Sequence, residues 1–347
     1  MALVKKLSAR LQNHPKGIVY PDGEDLRIMQ AARQFATRKL GVPILLGDRE
    51  NIKSIAAQND IRLDGIKIIT PKESDDFQEL CKAYKAIIRF HKNTEGEDVE
   101  AVVETPIYYA ALMLATGRAD AMLAGANSTT ASALRPILQV IPLQKGVKTA
   151  SSMMILSTGR EDIGVSGDLF LADCDVIAEP TEEQICDIAL TTGTLANQLT
   201  LQTARVAMLA CTSKSPTSSH ATSLKMRSAA ALVHAKAKAD SLDIEVDGEL
   251  QVDAALSPEV ARLKNISSSV AGKANVLVFP DLNSGNITSK MAQIIFPDVE
   301  CYGQILTGLT KPVAEISRAA TTAGIFGTSV IVAAQAVDRK FIDISLE

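Results

Sequence analysis

Tryptophan is absent from the 347 residues, and aromatic side chains make up only 4% of them. Sheets that rely on aromatic cross-strand pairs are therefore disfavoured. Ala, Leu, Ile and Val dominate the 46% hydrophobic content, which suits stacked α/β layers. All-β architecture is the first class excluded. Cysteine is sparse as well: Cys81, Cys174, Cys186, Cys211 and Cys301 form an odd set without CxxC spacing. Neither a disulfide framework nor a zinc cage fits that set, and the five read as reduced core thiols. Charge of one sign is missing, since 36 Lys plus Arg face 40 Asp plus Glu for a net charge of -4. No sequence-independent pull toward nucleic acid is expected, and an anionic ligand must be held by locally placed cations. No long hydrophobic run exists either. The longest nearly apolar stretch, Ile325 to Val337, contains Thr328, Ser329 and Gln335 and falls short of the roughly 20 residues of a spanning helix. Met1 to Arg10 lacks the apolar h-region of a secretory leader, so a cytoplasmic protein without membrane contact is expected.

Familiar catalytic signatures are also missing: GxGxxG, GxxxxGK[ST], HExxH, GxSxG and the EF-hand loop do not occur. Nucleotide hydrolysis, simple dinucleotide binding and zinc proteolysis lose their basis. His14, His91, His220 and His234 have no ligand spacing and read as surface or capping residues, with His220 set apart by its Ser/Thr-rich loop. Asn127, Asn265 and Asn286 begin Asn-x-Ser/Thr triplets, which matter only in secreted chains.

What is present is an alternation. At roughly 150 residues per domain the length implies a little over two. Gly17 to Tyr20 and Val42 to Leu46 are short apolar runs on either side of the amphipathic stretch Asp25 to Leu40, a strand, helix, strand order. Ile66 to Thr70 reads as a strand, Glu73 to Lys92 as a helix, Val99 to Leu114 as a helix opened near Pro106, and Ala121 to Ala124 as a buried strand. This predicts a parallel sheet with helical crossovers. From residue 151 the texture changes: Ser151 to Leu156 and Leu169 to Val176 read as neighbouring strands without a helix between them. A helix opens at Pro180-Thr181-Glu182-Glu183, where Thr181 caps and the acids complement the dipole. The strand Val206 to Ala210, the helix Leu224 to Ala239 and the strand Val276 to Phe279 follow. A second α/β domain is expected over about 150 to 300, and periodicity leaves open whether Gly303 to Val337 rejoins the first.

Four polar, Gly- or hydroxyl-rich segments follow predicted strands, where an α/β sheet places its ligand loops. Gly125 to Thr129, ahead of a helix bearing Arg135, brings small residues and a helix N-terminus together, a setting for an anion or an ordinary capped turn. Cys211 to His220 is rich in hydroxyls with one cation, Lys214; it reads equally as a wrap for a phosphorylated ligand and as a surface loop. Phe279 to Asn286 runs through Asn283, Ser284 and Gly285 into a helix expected from Ile287, and a capped turn explains it as well as a site does. Lys311 to Arg318 sets Ser317 beside Arg318.

At these residues the sequence resembles the phosphate acetyl/butyryltransferase family, and most closely its phosphate acetyltransferases. The likeness is strongest in Gly125–Pro136 (GANSTTASALRP), Gly146–Ser152 (GVKTASS), Gly167–Val176 (GDLFLADCDV), Pro180–Gln184 (PTEEQ), Val246–Leu256 (VDGELQVDAAL), Ala271–Ile287 (AGKANVLVFPDLNSGNI) and Lys311–Arg318. The resemblance implies two three-layer α/β domains with a cleft between them, of the isocitrate/isopropylmalate dehydrogenase type. Residues 1–149 plus 303–347 would form one domain and 150–302 the other. It further implies a homodimer, and reversible acetyl transfer between acetyl phosphate and coenzyme A in acetate metabolism, with phosphate as the other small-molecule substrate. By motif, the family's phosphate-holding arginines fall on Arg89, Arg135 and Arg318, with Ser317 beside the last steadying the thiol. Guanidinium pairs bidentately with phosphate, so no metal is required. Arg89, Arg135, Ser128, Thr129, Asn283, Ser284, Gly285 and Lys214 are then the substrate-binding candidates, and Ser317 and Arg318 the catalytic pair. No cofactor is bound; coenzyme A is a substrate.

The chain also departs from the family. The aspartate proposed there as the thiol's base, seven residues after the serine, is Gly324, and the arginine-glycine pair is Arg318-Ala319. The loop after the Ser-Thr pair reads Lys214-Ser215-Pro216-Thr217. Glu315, Asp281 and His220 are the substitutes for the base. The alternatives to an acetyl enzyme are a catalytically impaired relative that senses acetyl phosphate or acetyl-coenzyme A, and a transferase for a longer acyl chain.

Overall fold

The computed structural model describes residues 2–89, 96, 98–215, 217, 219–296 and 298–337. The expected helix end at Phe90 to Lys92, with His91, lies outside them, as do Pro216 and Ser218 of the hydroxyl-rich loop. The chain divides into two units, one of Val4–Pro142 with the segment that starts at Leu309, the other of Leu143–Gly308.

The first unit contains helix α1 (Ala2–Asn13), β1 (Lys16–Tyr20), α2 (Leu26–Thr37), β2 (Gly41–Leu46), α3 (Arg49–Gln58), β3 (Lys67–Ile69), α4 (Phe77–Ile88), α5 (Val99–Glu104), α6 (Pro106–Ala115), β4 (Ala121–Ala124) and α7 (Thr130–Val140). The second contains β5 (Ser151–Ser157), β6 (Asp168–Ala172), α8 (Glu182–Thr200), β7 (Ala204–Leu209), α9 (Ala221–Ala239), β8 (Ile244–Leu250), α10 (Val252–Leu256), α11 (Pro258–Leu263), β9 (Val276–Val278), α12 (Leu282–Ile295) and β10 (Glu300–Thr307). The chain then returns to the first unit with β11 (Val313–Glu315) and α13 (Thr322–Gln335).

In the first unit the strands are all parallel, in the order β3-β2-β1-β4-β11. Each crossover needs a helix to return the chain to the same edge, and the apolar runs anticipate this. β4 is buried at every position, and α13 buries an almost continuous stretch from Ile325 to Gln335. The hydroxyls inside that helix are accounted for: Ser329 donates to the Ile325 carbonyl at 2.8 Å and receives Tyr20 Oη at 2.9 Å. The second unit is mixed. β10 and β5, and β5 and β6, pair antiparallel, as expected for strands joined without a helix, and β6, β9, β7 and β8 continue in parallel.

Several boundaries differ from the expected ones for identifiable reasons. The helix expected over Val99 to Leu114 is two, because Thr105 takes an extended conformation before Pro106, which disfavours helical geometry in the preceding residue. Helix α4 starts four residues late: Pro71–Glu73 form a separate 3-10 turn, and Ser74 Oγ accepts the Asp76 amide at 3.2 Å. β6 ends at Ala172 because the buried Asp173 carboxylate captures the amides of Asp175, Val176 and Ile177 at 3.0, 3.3 and 2.7 Å. Ser152 also donates to that carboxylate, from its amide at 3.1 Å and its hydroxyl at 2.5 Å.

Helix α12 begins at Leu282, five residues before the expected Ile287. Asp281 caps it, accepting the Ser284 amide at 2.9 Å, so Asn283, Ser284 and Gly285 form its first turn rather than a loop. Gly285 is there for space: a methyl at this position would lie 2.1 Å from the Asp173 carbonyl oxygen. Gly285→Ala should therefore push α12 off the 173–177 turn and cost about 1–3 kcal/mol, seen as a lower melting temperature by circular dichroism. An unchanged melting temperature would show that the turn yields freely.

Candidate active site

In the first unit the strand order reverses between β1 and β4, because the chain builds outward to β2 and β3 before crossing back to β4. Such a switch point opens a crevice at the carboxyl ends of the two strands, the preferred ligand position of an open α/β sheet. Three loops leave that edge: 21–25 after β1, 125–129 after β4 and 316–321 after β11.

The three loops are joined by side chains from the first loop and the start of α2. Asp22 Oδ2 accepts the Gly125 and Ala126 amides at 3.0 and 3.2 Å. Burial pushes the Asp22 carboxyl above the usual carboxylate range, and the amides of Gly125, Ala126 and Asn127 only partly offset it. Arg27 donates to the carbonyls of Ala126 at 3.0 Å, Arg318 at 2.5 Å and Ala320 at 3.2 Å. Asp25, the N-cap of α2, pairs with it in fork geometry at 3.1 and 2.8 Å. Burial works to raise the Asp25 pKa, but the Arg27 guanidinium and the amides of Arg27 and Ile28 outweigh it and hold it below its ordinary value.

Close approach sets the spacing. Ala124 and Glu315 are register partners on β4 and β11, so the next residues leave side by side. Gly125 has φ +106°, and a methyl on it would lie 2.5 Å from the Ile316 carbonyl oxygen; a side chain here is excluded by both conformation and space. Glu315 is buried and accepts from Thr130 Oγ1 at 3.3 Å, joining the end of β11 to the first turn of α7.

Of the sequence candidates, Ser128, Thr129, Arg89, Arg135, Ser317 and Arg318 all fall in this unit. Thr129 is the N-cap of α7, accepting the Ser132 amide at 3.3 Å, so the capped-turn reading holds for it. Ser128 differs: its hydroxyl is buried and finds no hydrogen-bond partner among the described residues. Ser317 is half-buried and its Oγ accepts the Ala319 amide at 3.3 Å. Arg135, in the second turn of α7, and Arg318 are exposed, and among the described residues no ion pair or side-chain hydrogen bond engages either guanidinium. Arg89 is exposed at the C-terminal end of α4. Thr321 caps α13 by accepting the Gly324 amide at 3.0 Å, so Gly324 is the third residue of that helix. Helix N-termini, which favour anions, thus follow both the 125–129 and the 316–321 loops. Asp22, Asp25 and Arg27 were not singled out from the sequence. Their signal, three charges within six residues directly after the first strand, reads equally as helix capping.

The remaining candidates, Lys214, Asn283, Ser284 and Gly285, belong to the other unit, where Asn283 is exposed in the first turn of α12. Lys214 pairs with Asp247 and donates to the Gly248 carbonyl at 3.3 Å. Its loop is tied to Glu249, whose side chain is fully buried. Glu249 accepts from Arg227 Nε at 2.8 Å and Nη2 at 3.0 Å, from the Ser215 amide at 3.0 Å and from Thr212 Oγ1 at 3.1 Å. Arg227 also donates to the Ser215 carbonyl at 2.7 Å. Asp281 caps α12 and His220 sits at the N-cap of α9, so of the substitute bases only Glu315 lies in the unit of Ser317. Among the described residues no group of three or more His, Cys, Asp or Glu is placed to hold a metal ion, and no helix is long and apolar enough to cross a membrane.

Burial alone would raise the Glu249 pKa, but the Arg227 guanidinium and the surrounding donors pull it from 4.5 to about 2. A carboxylate whose folded pKa is the lower one stabilises fully above its unfolded value and loses that stabilisation as pH falls toward the folded value. Glu249→Gln should thus lower the melting temperature most at neutral pH, with the gap to wild type narrowing between pH 4.5 and 2. Melts across that range check this, and a gap independent of pH would refute it.

Comparison with known proteins agrees with the geometry. The family described as phosphate acetyl/butaryl transferase matches residues 2–333. A phosphate acetyltransferase of Acetivibrio thermocellus is 37% identical over 339 residues, covering 97% of this chain and 98% of its own. A phosphotransacetylase structure from Streptococcus pyogenes superposes with a TM-score of 0.85 at 32% identity, over 97% of this chain and 98% of that one. The EutD phosphotransacetylase from Staphylococcus aureus gives the same TM-score at 30% identity, over 96% and 98%. With the match running through nearly the whole chain, including the three loops at the switch point, this protein belongs to the phosphate acetyl/butaryl transferase family.

Proposed function

We propose that this chain is a phosphate acetyltransferase, moving an acetyl group reversibly between acetyl phosphate and coenzyme A. The observation that carries the reading is the junction of the 125–129 and 316–321 loops at adjoining strand ends. That junction gathers the unpartnered Ser128 hydroxyl, Ser317, Arg318 and two helix N-termini in one unit. Arg318 and Arg135 have guanidinium groups to spend on phosphate, with Arg89 as the third cation, and the amide ends of α7 and α13 add fixed dipoles.

Coenzyme A enters as a substrate. Its thiolate attacks the carbonyl carbon of acetyl phosphate, the acyl C–O bond breaks, and inorganic phosphate leaves with that electron pair, its negative charge met by the arginines. Ser317 steadies the sulfur and the developing oxyanion. Positioning and charge stabilisation supply most of the rate. A thiol of pKa near 8.5 is a few per cent ionised at neutral pH, so the reaction proceeds without a carboxylate at 324. Lys214, Ser284 and Gly285 are given no part in holding phosphate, since each has structural work in its own unit, and Asn283 lies beside them in the first turn of α12.

Coenzyme-dependent release of phosphate from acetyl, propionyl and butyryl phosphates tests the reading. Activity above the uncatalysed rate, highest with acetyl, is expected; none, with phosphate binding intact, would overturn it. Gly324→Asp separates the silenced-sensor alternative, because restoring a general base to an idle site should raise the rate by about 10² to 10⁴, whereas an enzyme with a relocated base, Glu315 being the candidate in the unit of Ser317, gains little.

The reading also carries a cytoplasmic homodimer. Ile287, Met291, Ile294, Ile295 and Phe296 are each more than half exposed along α12 and just past its end, a patch suited to a two-fold, self-complementary contact. Sedimentation should show a dimer that Ile294→Glu converts to monomer; a monomeric wild type would count against it.

A further inference from the structure

All N–H groups of the Arg27 guanidinium are already spent. The group has five donors, and five acceptors surround it: both Asp25 oxygens and the carbonyls of Ala126, Arg318 and Ala320. Nothing remains for a substrate phosphate, in contrast to Arg135 and Arg318. Yet the carbonyls it holds belong to the two loops that carry Ser128 and the Ser317-Arg318 pair. Asp22 grips the 125–126 segment by its amides while Arg27 grips it by a carbonyl, so the segment is fixed from both polar sides.

We propose that Arg27 is a positioning residue for acyl transfer: it clamps the backbone of residues 318 and 320 to that of 126, setting where Ser317 and the Arg318 side chain stand relative to Ser128. The proposal rests on the reading of Ser317 and Arg318 as the acting pair. Three carbonyls from two loops converge on one planar fork, and only a guanidinium offers donors in that arrangement; lysine has three donors on a single point charge. Misplacement of a reacting group by about 1 Å is enough to cost 10²-fold in rate.

The experiment uses the full chain and two variants, Arg27→Gln and Arg27→Lys. Both should fold, judged by circular dichroism, and both should lose about 10²-fold in kcat, with KM for acetyl phosphate moving no more than about threefold. In the absence of substrate, amides in 316–321 should exchange with deuterium faster than in wild type. Wild-type kcat in Arg27→Lys, or a loss confined to KM for acetyl phosphate, overturns the proposal, the latter because it marks a substrate contact. If wild type itself shows no transfer, the functional reading fails while the exchange measurement still decides the clamp: unchanged protection of 316–321 in both variants rejects it. Should Arg27→Gln fail to fold, Arg27→Lys decides alone.

Discussion

A parallel sheet delivers every strand to the same edge, and there the ladder stops while the backbone's donors and acceptors do not. The loops after β1, β4 and β11 crowd together, so closely at Gly125 that a single methyl would collide with the Ile316 carbonyl. Backbone groups in that setting cannot all be left to water, and an unpaired buried one costs about as much as a lost hydrogen bond. The solution is a pair of oppositely charged side chains, Asp22 in the first loop and Arg27 at the start of α2. Asp22 takes amides, Arg27 takes carbonyls, and Asp25 neutralises the arginine. The positions of Ser128, Ser317 and Arg318 all follow from that exchange of hydrogen bonds.

The second unit uses the same physics with different residues. Asp173 ends a strand by collecting amides, and Glu249 organises the hydroxyl-rich loop by collecting a guanidinium, an amide and a hydroxyl. In each case a carboxylate removed from water is repaid by several donors, the condition under which a buried charge is tolerable. The arginines thereby sort into two groups. Arg27 and Arg227 are consumed by carboxylates and carbonyls, whereas Arg135 and Arg318 stand exposed at the helix and loop beyond the switch point.

The alternation of apolar runs made the α/β class and most strands legible, because burial on both faces leaves little freedom in composition. Ser317-Arg318 and Gly125-to-Arg135 were legible as blocks in a family resemblance, supported by their places after predicted strands. Asp22 and Arg27 were not, because the acidic start of α2 has a sufficient local explanation in helix capping and their second partners lie about a hundred and three hundred residues away. The start of α12 differs from the expected Ile287 for the opposite reason. Asn, Ser and Gly are poor helix interior residues, yet Asp281 caps them and the close approach to Asp173 requires the glycine. Lys214 entered the candidate set as the one cation of a hydroxyl-rich loop, while its ion pair with Asp247 depends on a register between β7 and β8 that no single segment encodes.

Gly324 takes on a different meaning once its place is known. It is the third residue of α13, and a carboxylate there would face the helix's own amide end, which favours the ionised, weakly basic form. Neither α7 nor α13 has an acid in its first turn. Both helix ends therefore keep their positive field undiminished beside the loops that carry Ser128 and Arg318. In the transfer proposed above, where a phosphate anion leaves and the nucleophile is partly ionised already, a site without that carboxylate would give up some proton abstraction and retain more attraction for the phosphate. The physical trade is between basicity and anion stabilisation, and the residues of this chain fall on the side of the second.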